Sequence, residues 1–200
     1  MLDVLRQQPR SIRALPFTSG ALLDVTLELV GASFGNVQAI DWTRGSLEII
    51  RQRGFQEEFL QHFKSVTPDD RSACGFALKT RKTVVISDLA DDKSLSPQSR
   101  SVILGAGVRA VQSVPIVSTS GAFIGILSTH FSAAHQPPNA ELNMMESLAR
   151  AAADLIVSRR AQAKTVDTAS AETKDAIASS HELLERIDKM TARRIGKSLL

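Results

Sequence analysis

After Pro16, apolar residues at Leu22, Val25, Leu29 and Ala32 fall at helical spacing. The spacing predicts a helix over about 19–33, with Thr18 or Ser19 as N-cap and Gly31 and Gly35 punctuating its end. The pattern then switches to β-rich runs, VQAIDW (37–42) and SLEIIRQ (46–52), separated by Thr43-Arg44-Gly45. Glycine in the last position of a three-residue link accepts a left-handed conformation, so a hairpin is predicted there. Phe55, Phe59 and Phe63 recur every four residues, which places three rings on one helical face. Pro68-Asp69-Asp70 breaks that helix. A short one follows from Ser72-Ala-Cys-Gly-Phe-Ala-Leu78, with Asp69, Asp70 or Ser72 as cap candidates.

TVVISDL (83–89) reads as a strand, DDKSLSPQS as a loop, and 97–104 as a short helix. The longest strand-like runs are VRAVQSVPIVS (108–118) and GAFIGILSTHF (121–131), hinged at Ser118–Gly121. Pro115 inside the first implies a bulge or an unpaired N–H. From Asn139, an apolar stripe of Leu142, Met145, Leu148, Ala149, Ala152, Leu155 and Ile156 predicts a helix to about 160. The patch AKTVDTASAE reads as a linker, and Ile177, Leu184, Ile187 and Met190 share a face of a terminal amphipathic helix. This order, with tight links between strands, predicts an α+β fold with a mostly antiparallel sheet. The expected layout is an N-terminal arm (1–17), one domain (18–160), and a linker with a C-terminal helix (161–200).

Charge narrows the function classes. The net charge is +3, yet residues 21–155 carry 12 Lys and Arg against 14 Asp and Glu, so the basic excess lies in the tails. A nucleic-acid-binding core places its basic stripe on the folded face, so no nucleic-acid partner is expected. One cysteine allows no intramolecular disulfide and points to a reducing compartment. No apolar run approaches the roughly 20 residues of a membrane span, and the N-terminus lacks the apolar core of a secretory signal. A cytoplasmic protein without a membrane partner is expected.

Taken together, GSLEIIRQRGF, SACGFAL, VVISDLADD, GVRAVQSVPIVS and GAFIGILSTHF, followed by a long helix near Glu141, resemble a GAF domain over about residues 18–160. The resemblance implies a central antiparallel sheet of five to six strands. The first and last long helices would lie on one face, and the 53–107 excursion would roof a small-molecule pocket on the other. Its members bind diverse ligands or none known, so the resemblance leaves ligand and cofactor unknown.

Cys74 is the residue that separates a sensor from an enzyme. A GAF branch reduces free methionine sulfoxide with a cysteine in a comparable Cys-Gly position. That chemistry needs a resolving thiol, and this chain has no second cysteine. Packing or pocket lining is therefore expected at Cys74, with thiol redox sensing and catalysis as the alternatives. Bilin attachment is not supported, because Leu89-Ala90 follows Asp88 and Gly75 follows Cys74. Gly105-Ala-Gly107-Val-Arg-Ala110 fits the dinucleotide fingerprint in letters only. A β-branched run containing Pro115 follows it instead of a helix, and no acidic residue lies between 93 and 140. His130 and His135 do not form a metal site with any nearby ligand set, and Ser180-His181-Glu182-Leu183 lacks the remainder of a phospho-acceptor box.

The expected function is a non-catalytic sensory GAF module of bacterial signal transduction, responsive to a small molecule or partner, with output through the terminal helices. The alternatives are a free methionine sulfoxide reductase type of enzyme and a ligand-free adaptor of a two-component system. Candidate pocket residues are Trp42, Phe59, Phe63, Cys74, Phe76, Asp88, Arg109, Ser113, Ser128 and His130. For Asp88 and Arg109 a structural ion pair competes with the pocket role. Leu142, Met145, Ala149, Ala152, Ile156, Leu184 and Ile187 are expected on a dimer and output helix of a parallel homodimer. The expected downstream partner is a histidine kinase or response regulator.

Overall fold

Six strands and five helices account for residues 16–197, the part of the chain that the structure, a computed structural model, describes; side chains are described from Ser19 to Val166 and at a few positions beyond. Helix α1 (Pro16–Val30) leads into β1 (Phe34–Asp41) and β2 (Ser46–Arg53). Their hairpin turns at Gly45, whose φ of +66° is the left-handed conformation that the link requires. The chain then runs through α2 (Glu57–His62), β3 (Ser65–Val66), α3 (Ala73–Thr80), β4 (Val84–Ile86) and α4 (Pro97–Gly105). It finishes with β5 (Ala110–Val117), β6 (Phe123–Phe131) and α5 (Asn139–Lys197). The two-residue β3 has too few residues to show a periodicity in sequence. All pairings in the sheet are antiparallel, in the order β3-β2-β1-β6-β5-β4.

The sheet divides two apolar cores. On one face Leu22 and Leu23 of α1, together with Met145, Ala149, Ala152, Ala153 and Ile156 of α5, pack on Val37, Val114, Ile116 and Leu127. On the other, α2, α3 and α4 form a roof in which Phe55, Phe59, Phe63, Leu78, Leu95 and Ile103 pack over Ile40, Leu47, Val111 and Ile126. Burying each phenylalanine ring contributes about 1.5–3 kcal/mol. Phe55 and Phe59 stack with ring centroids 3.6 Å apart, and Phe63 lies tilted against Phe59 at 4.6 Å. Polar ties fasten the roof to itself: His62 meets the Ser99 hydroxyl at 3.1 Å, and Arg71 donates to the carbonyls of Lys93 and Ser94.

Two expectations change here. Pro115 does not by itself break the ladder. It pairs with Ile126 at a position beyond the reach of β4, which covers only Val111–Ser113, and the register shift comes one residue later, between Ile116 and Val117. The stretch read as a linker is helical, within α5. AKTVDTASAE contains neither glycine nor proline, and its Ala, Lys and Glu are good helix formers.

The chain divides at Val157/Ser158 into two compact units. Within the first, Met145, Ala149, Ala152 and Ile156 are buried against the sheet, and Leu142 is half-buried. They are therefore not a free dimer stripe, because the second sheet face takes up the apolar side of α5. The side chains of Leu184 and Ile187 lie outside the described residues. Three acidic residues also fasten this part of α5: Glu141 accepts from Gln112 and pairs with His135, Glu146 accepts from Thr83, and Asp154 accepts from the Thr119 amide and hydroxyl. No helix among the described residues is long and apolar enough to cross a membrane.

Candidate functional site

Side-chain alternation on three adjacent strands builds the floor of a site beneath the roof. Asn36 of β1 stands opposite Ser128 of β6, which stands opposite Ser113 of β5, so one polar row crosses the sheet. His130 and Val111 form the next row, and Gln38 faces Ile126 on the other side. The Ser113 and Ser128 hydroxyls lie 2.8 Å apart and satisfy one another. Ser72, Ala73 and Cys74 at the start of α3, Ile103 of α4, and Phe59 and Phe63 close the top. The enclosed cavity measures about 20 Å³, room for about one water molecule. A second, smaller hollow of about 10 Å³ lies on the helix-backed face and is lined mainly by aliphatic residues.

Sequence dictates how the top is held. Ser72 caps α3 by accepting from the Gly75 amide at 3.1 Å, while Asp70 turns away to accept from the Thr67 amide and hydroxyl. Gly75 has to be glycine, since a Cβ there would collide with the Asp70 carbonyl oxygen and crowd that of Thr67. Ser96 caps α4 through the Ser99 amide, with Pro97 opening the helix.

The polar atoms around this cavity are poorly satisfied. Asn36 Oδ1, both amide atoms of Gln38 and His130 Nδ1 are buried without a hydrogen-bond partner. Asn36, Gln38 and His130 are 3 %, 1 % and 4 % exposed. His130 stands edge-on to the rings of Phe55 and Phe59, at 4.9 and 5.8 Å. Burial pushes its pKa down from 6.5 to about 3, so the imidazole is neutral at physiological pH. Burial also pushes the Cys74 thiol up, and the Ser72 hydroxyl, the Gly75 and Cys74 backbone amides and the more distant Gln38 side chain, which lies beyond hydrogen-bond distance, only partly offset this. The Cys74 Sγ lies 3.4 Å from Ser72 Oγ. A raised thiol pKa lowers the thiolate fraction, which is the reactive form.

Of the ten pocket candidates from sequence, Phe59, Phe63, Cys74, Ser113, Ser128 and His130 converge on this cavity. Four do not line it. Trp42 sits in the β1–β2 turn, 38 % exposed, edge-on to Phe123, and Arg81 stacks over that same Phe123 ring. The chain turns just after Asp41, so Trp42 leaves the face its parity assigns. Phe76 packs into the roof core without reaching the cavity. Asp88 and Arg109 form a bidentate ion pair, at 2.7 to 3.0 Å, that ties the loop after β4 to the start of β5. Arg109 and the Ala90 amide hold the Asp88 carboxyl below the usual carboxylate range. Asn36 and Gln38 are new members of the site. Among the described residues, no cluster of three or more His, Cys, Asp or Glu could hold a metal ion.

A curled antiparallel sheet, backed by helices on one face and roofed over a polar site on the other, is the architecture of a small α+β domain. The chain belongs to the GAF domain family, whose model matches residues 18–157. Domains of this family are commonly sensory or regulatory in signalling. Similar folds occur in a GAF domain/HD domain protein from Geobacter sulfurreducens (TM-score 0.59, 23 % identity, covering 72 % of this chain and 91 % of that one). Another is the blue-light-absorbing form of the PixJ GAF domain from Thermosynechococcus elongatus (TM-score 0.60, 16 % identity, 81 % and 96 % covered). A third is a domain from Sinorhizobium meliloti of a protein described as a two-component sensor histidine kinase (TM-score 0.62, 19 % identity, 78 % and 99 % covered). No curated protein sequence matches the chain.

Proposed function

We propose that the chain is a non-catalytic sensory module that takes a small molecule between sheet and roof and gives its output through the terminal helices. The observation that carries this reading is the set of four unpartnered polar atoms, on Asn36, Gln38 and His130, around one cavity. A purely structural interior pairs such groups with protein or an ordered water, or replaces them, because each buried atom left unpaired costs about 1–3 kcal/mol; four such atoms around one cavity exceed what a single water completes without strain. A bound molecule would supply the missing partners. Since the cavity has room for about one water, any larger ligand has to lift α2, α3 or α4. Binding and roof displacement are then one event, and the ligand acts through its preference for the raised roof.

Native mass spectrometry of freshly purified protein tests the reading. The expected result is a retained small-molecule mass that the double variant Gln38→Met, His130→Phe loses. Protein at its bare mass, with no melting-temperature response to a library of small metabolites, refutes it.

In the same reading the module pairs with a second copy, using Val25 and Leu29 of α1 and Leu155 of α5, which stay 45 %, 53 % and 43 % exposed. A histidine kinase or response regulator takes the output. Light scattering is expected to give a dimer mass that Leu29→Asp and Leu155→Asp reduce, and a monomer for the unaltered chain removes pairing from the reading. Pull-down of the kinase or regulator is expected to fail when residues 165–200 are deleted.

A further inference from the structure

Resting on the binding reading above, we infer that the ligand is an uncharged molecule with amide-type hydrogen-bonding groups, and that the site discriminates against carboxylates, phosphates and ammonium ions. The carrying observation is the donor and acceptor inventory around the cavity. Asn36 Oδ1 and Gln38 Oε1 are unmet acceptors, Gln38 Nε2 is an unmet donor, and His130 Nδ1 donates or accepts according to its tautomer. One ligand completes this set only if it presents both N–H or O–H donors and a carbonyl-type acceptor. Primary amides, ureas, lactams and neutral pyrimidine-like or pyridine amide heterocycles do so. A carboxylate presents acceptors alone and faces two oxygens that need donors, and a phosphate presents acceptors in excess of its one or two O–H donors. An ammonium ion presents donors alone and leaves Gln38 Nε2 unmet.

Charge balance points the same way. None of the residues lining the cavity is Asp, Glu, Lys or Arg. Ionic side chains beside Ser72 in sequence are engaged elsewhere, Arg71 with the carbonyls of Lys93 and Ser94, and Asp70 with Thr67. An ion brought into this site would lose its hydration with no counter-charge to replace it. Burial keeps His130 neutral, so it cannot act as that counter-charge near pH 7. The first turn of α3 faces the cavity with its partly positive end, where Ser72 already occupies the Gly75 amide. Its partial positive end orients a carbonyl dipole and does not equal a full charge. The rings of Phe59 and Phe63 above and Val111 below suit a flat group.

The test is an ¹⁵N chemical-shift titration of the full chain at pH 7 and constant ionic strength, with acetamide against acetate and nicotinamide against nicotinate. The expected result is saturable shifts of the Gln38 side-chain amide and the Ala73 and Cys74 backbone amides with one or both neutral members. The matching anion should bind at least tenfold more weakly, and Gln38→Met should weaken the neutral probe at least tenfold while keeping its dispersed spectrum. An anion that binds as tightly as its amide overturns the ligand class and leaves the binding site standing. If no probe shifts these residues, the class falls; if native mass spectrometry also shows bare protein, the binding reading falls with it.

Discussion

Lowering the pH probes the burial of His130 directly. In the folded chain its pKa is about 3, against 6.5 for the ordinary imidazole. Between these values the unfolded chain binds a proton that the folded chain refuses. Stability is therefore full above pH 6.5 and falls as the pH falls towards 3. The linkage relation gives a loss of about 2 kcal/mol between pH 7 and 5, approaching about 1.4 kcal/mol per further unit. The carboxyls of Asp41, Asp88 and Asp154, which hydrogen-bonded neighbours hold low, and of Asp92, which Ser94 and Leu95 help to hold low against its own burial, act with the same sign but below this window, since ordinary Asp titrates near 3.9. Urea unfolding followed by circular dichroism at pH 7, 6 and 5 measures the slope. His130→Phe and His130→Gln should flatten it by about 2 kcal/mol over the window. Parallel slopes in wild type and both variants would refute a buried, neutral imidazole, and the enclosed site with it.

Three further outcomes follow from the same geometry. Gln38→Met removes two unpartnered amide atoms at nearly constant volume and should raise unfolding stability by about 1–3 kcal/mol. A loss of stability in urea would show that the amide is well satisfied in the fold. Gly75→Ala sets a methyl against the Asp70 carbonyl oxygen and should cost about 1–3 kcal/mol, read as a lower urea midpoint, whereas an unchanged midpoint contradicts the close approach. Native Cys74 should react with a disulfide reagent at pH 8 far more slowly than the urea-unfolded chain, and its thiolate absorbance should appear only above the ordinary 9.0; equal rates would place the thiol in solvent.

Most of this fold is legible in the chain because its signals are local. The Gly45 turn and the Ser72 cap each depend on neighbours within a few residues, whereas of Phe55, Phe59 and Phe63 only Phe59 lies within α2, so their recurrence marks a shared core and not one helical face. The site is only partly legible, because it joins residues from β1, β5, β6 and three roof helices. Ser113, Ser128 and His130 stood out as polar residues in long apolar runs. Asn36 and Gln38 did not, because polar residues alternating with Val37 and Ala39 look like a strand with one face in water. Period-two patterning cannot separate a face turned to solvent from one turned to a covered polar cavity. The stripe on α5 was misread for a related reason: an apolar face is equally visible whether a sheet or a second chain covers it.

Strand β5 has one further consequence. Val111 and Ser113 face the cavity, while Gln112 between them reaches through to Glu141 at the base of α5. On the proposed reading, input and readout would share a single peptide segment, separated by only the thickness of the sheet. A ligand that nudges Ser113 need not send its message around the rim of the molecule. If the module signals as proposed, a twist of one residue's pleat would tug the carboxylate on the far side, and swapping Gln112 for leucine should leave capture intact and silence the reply.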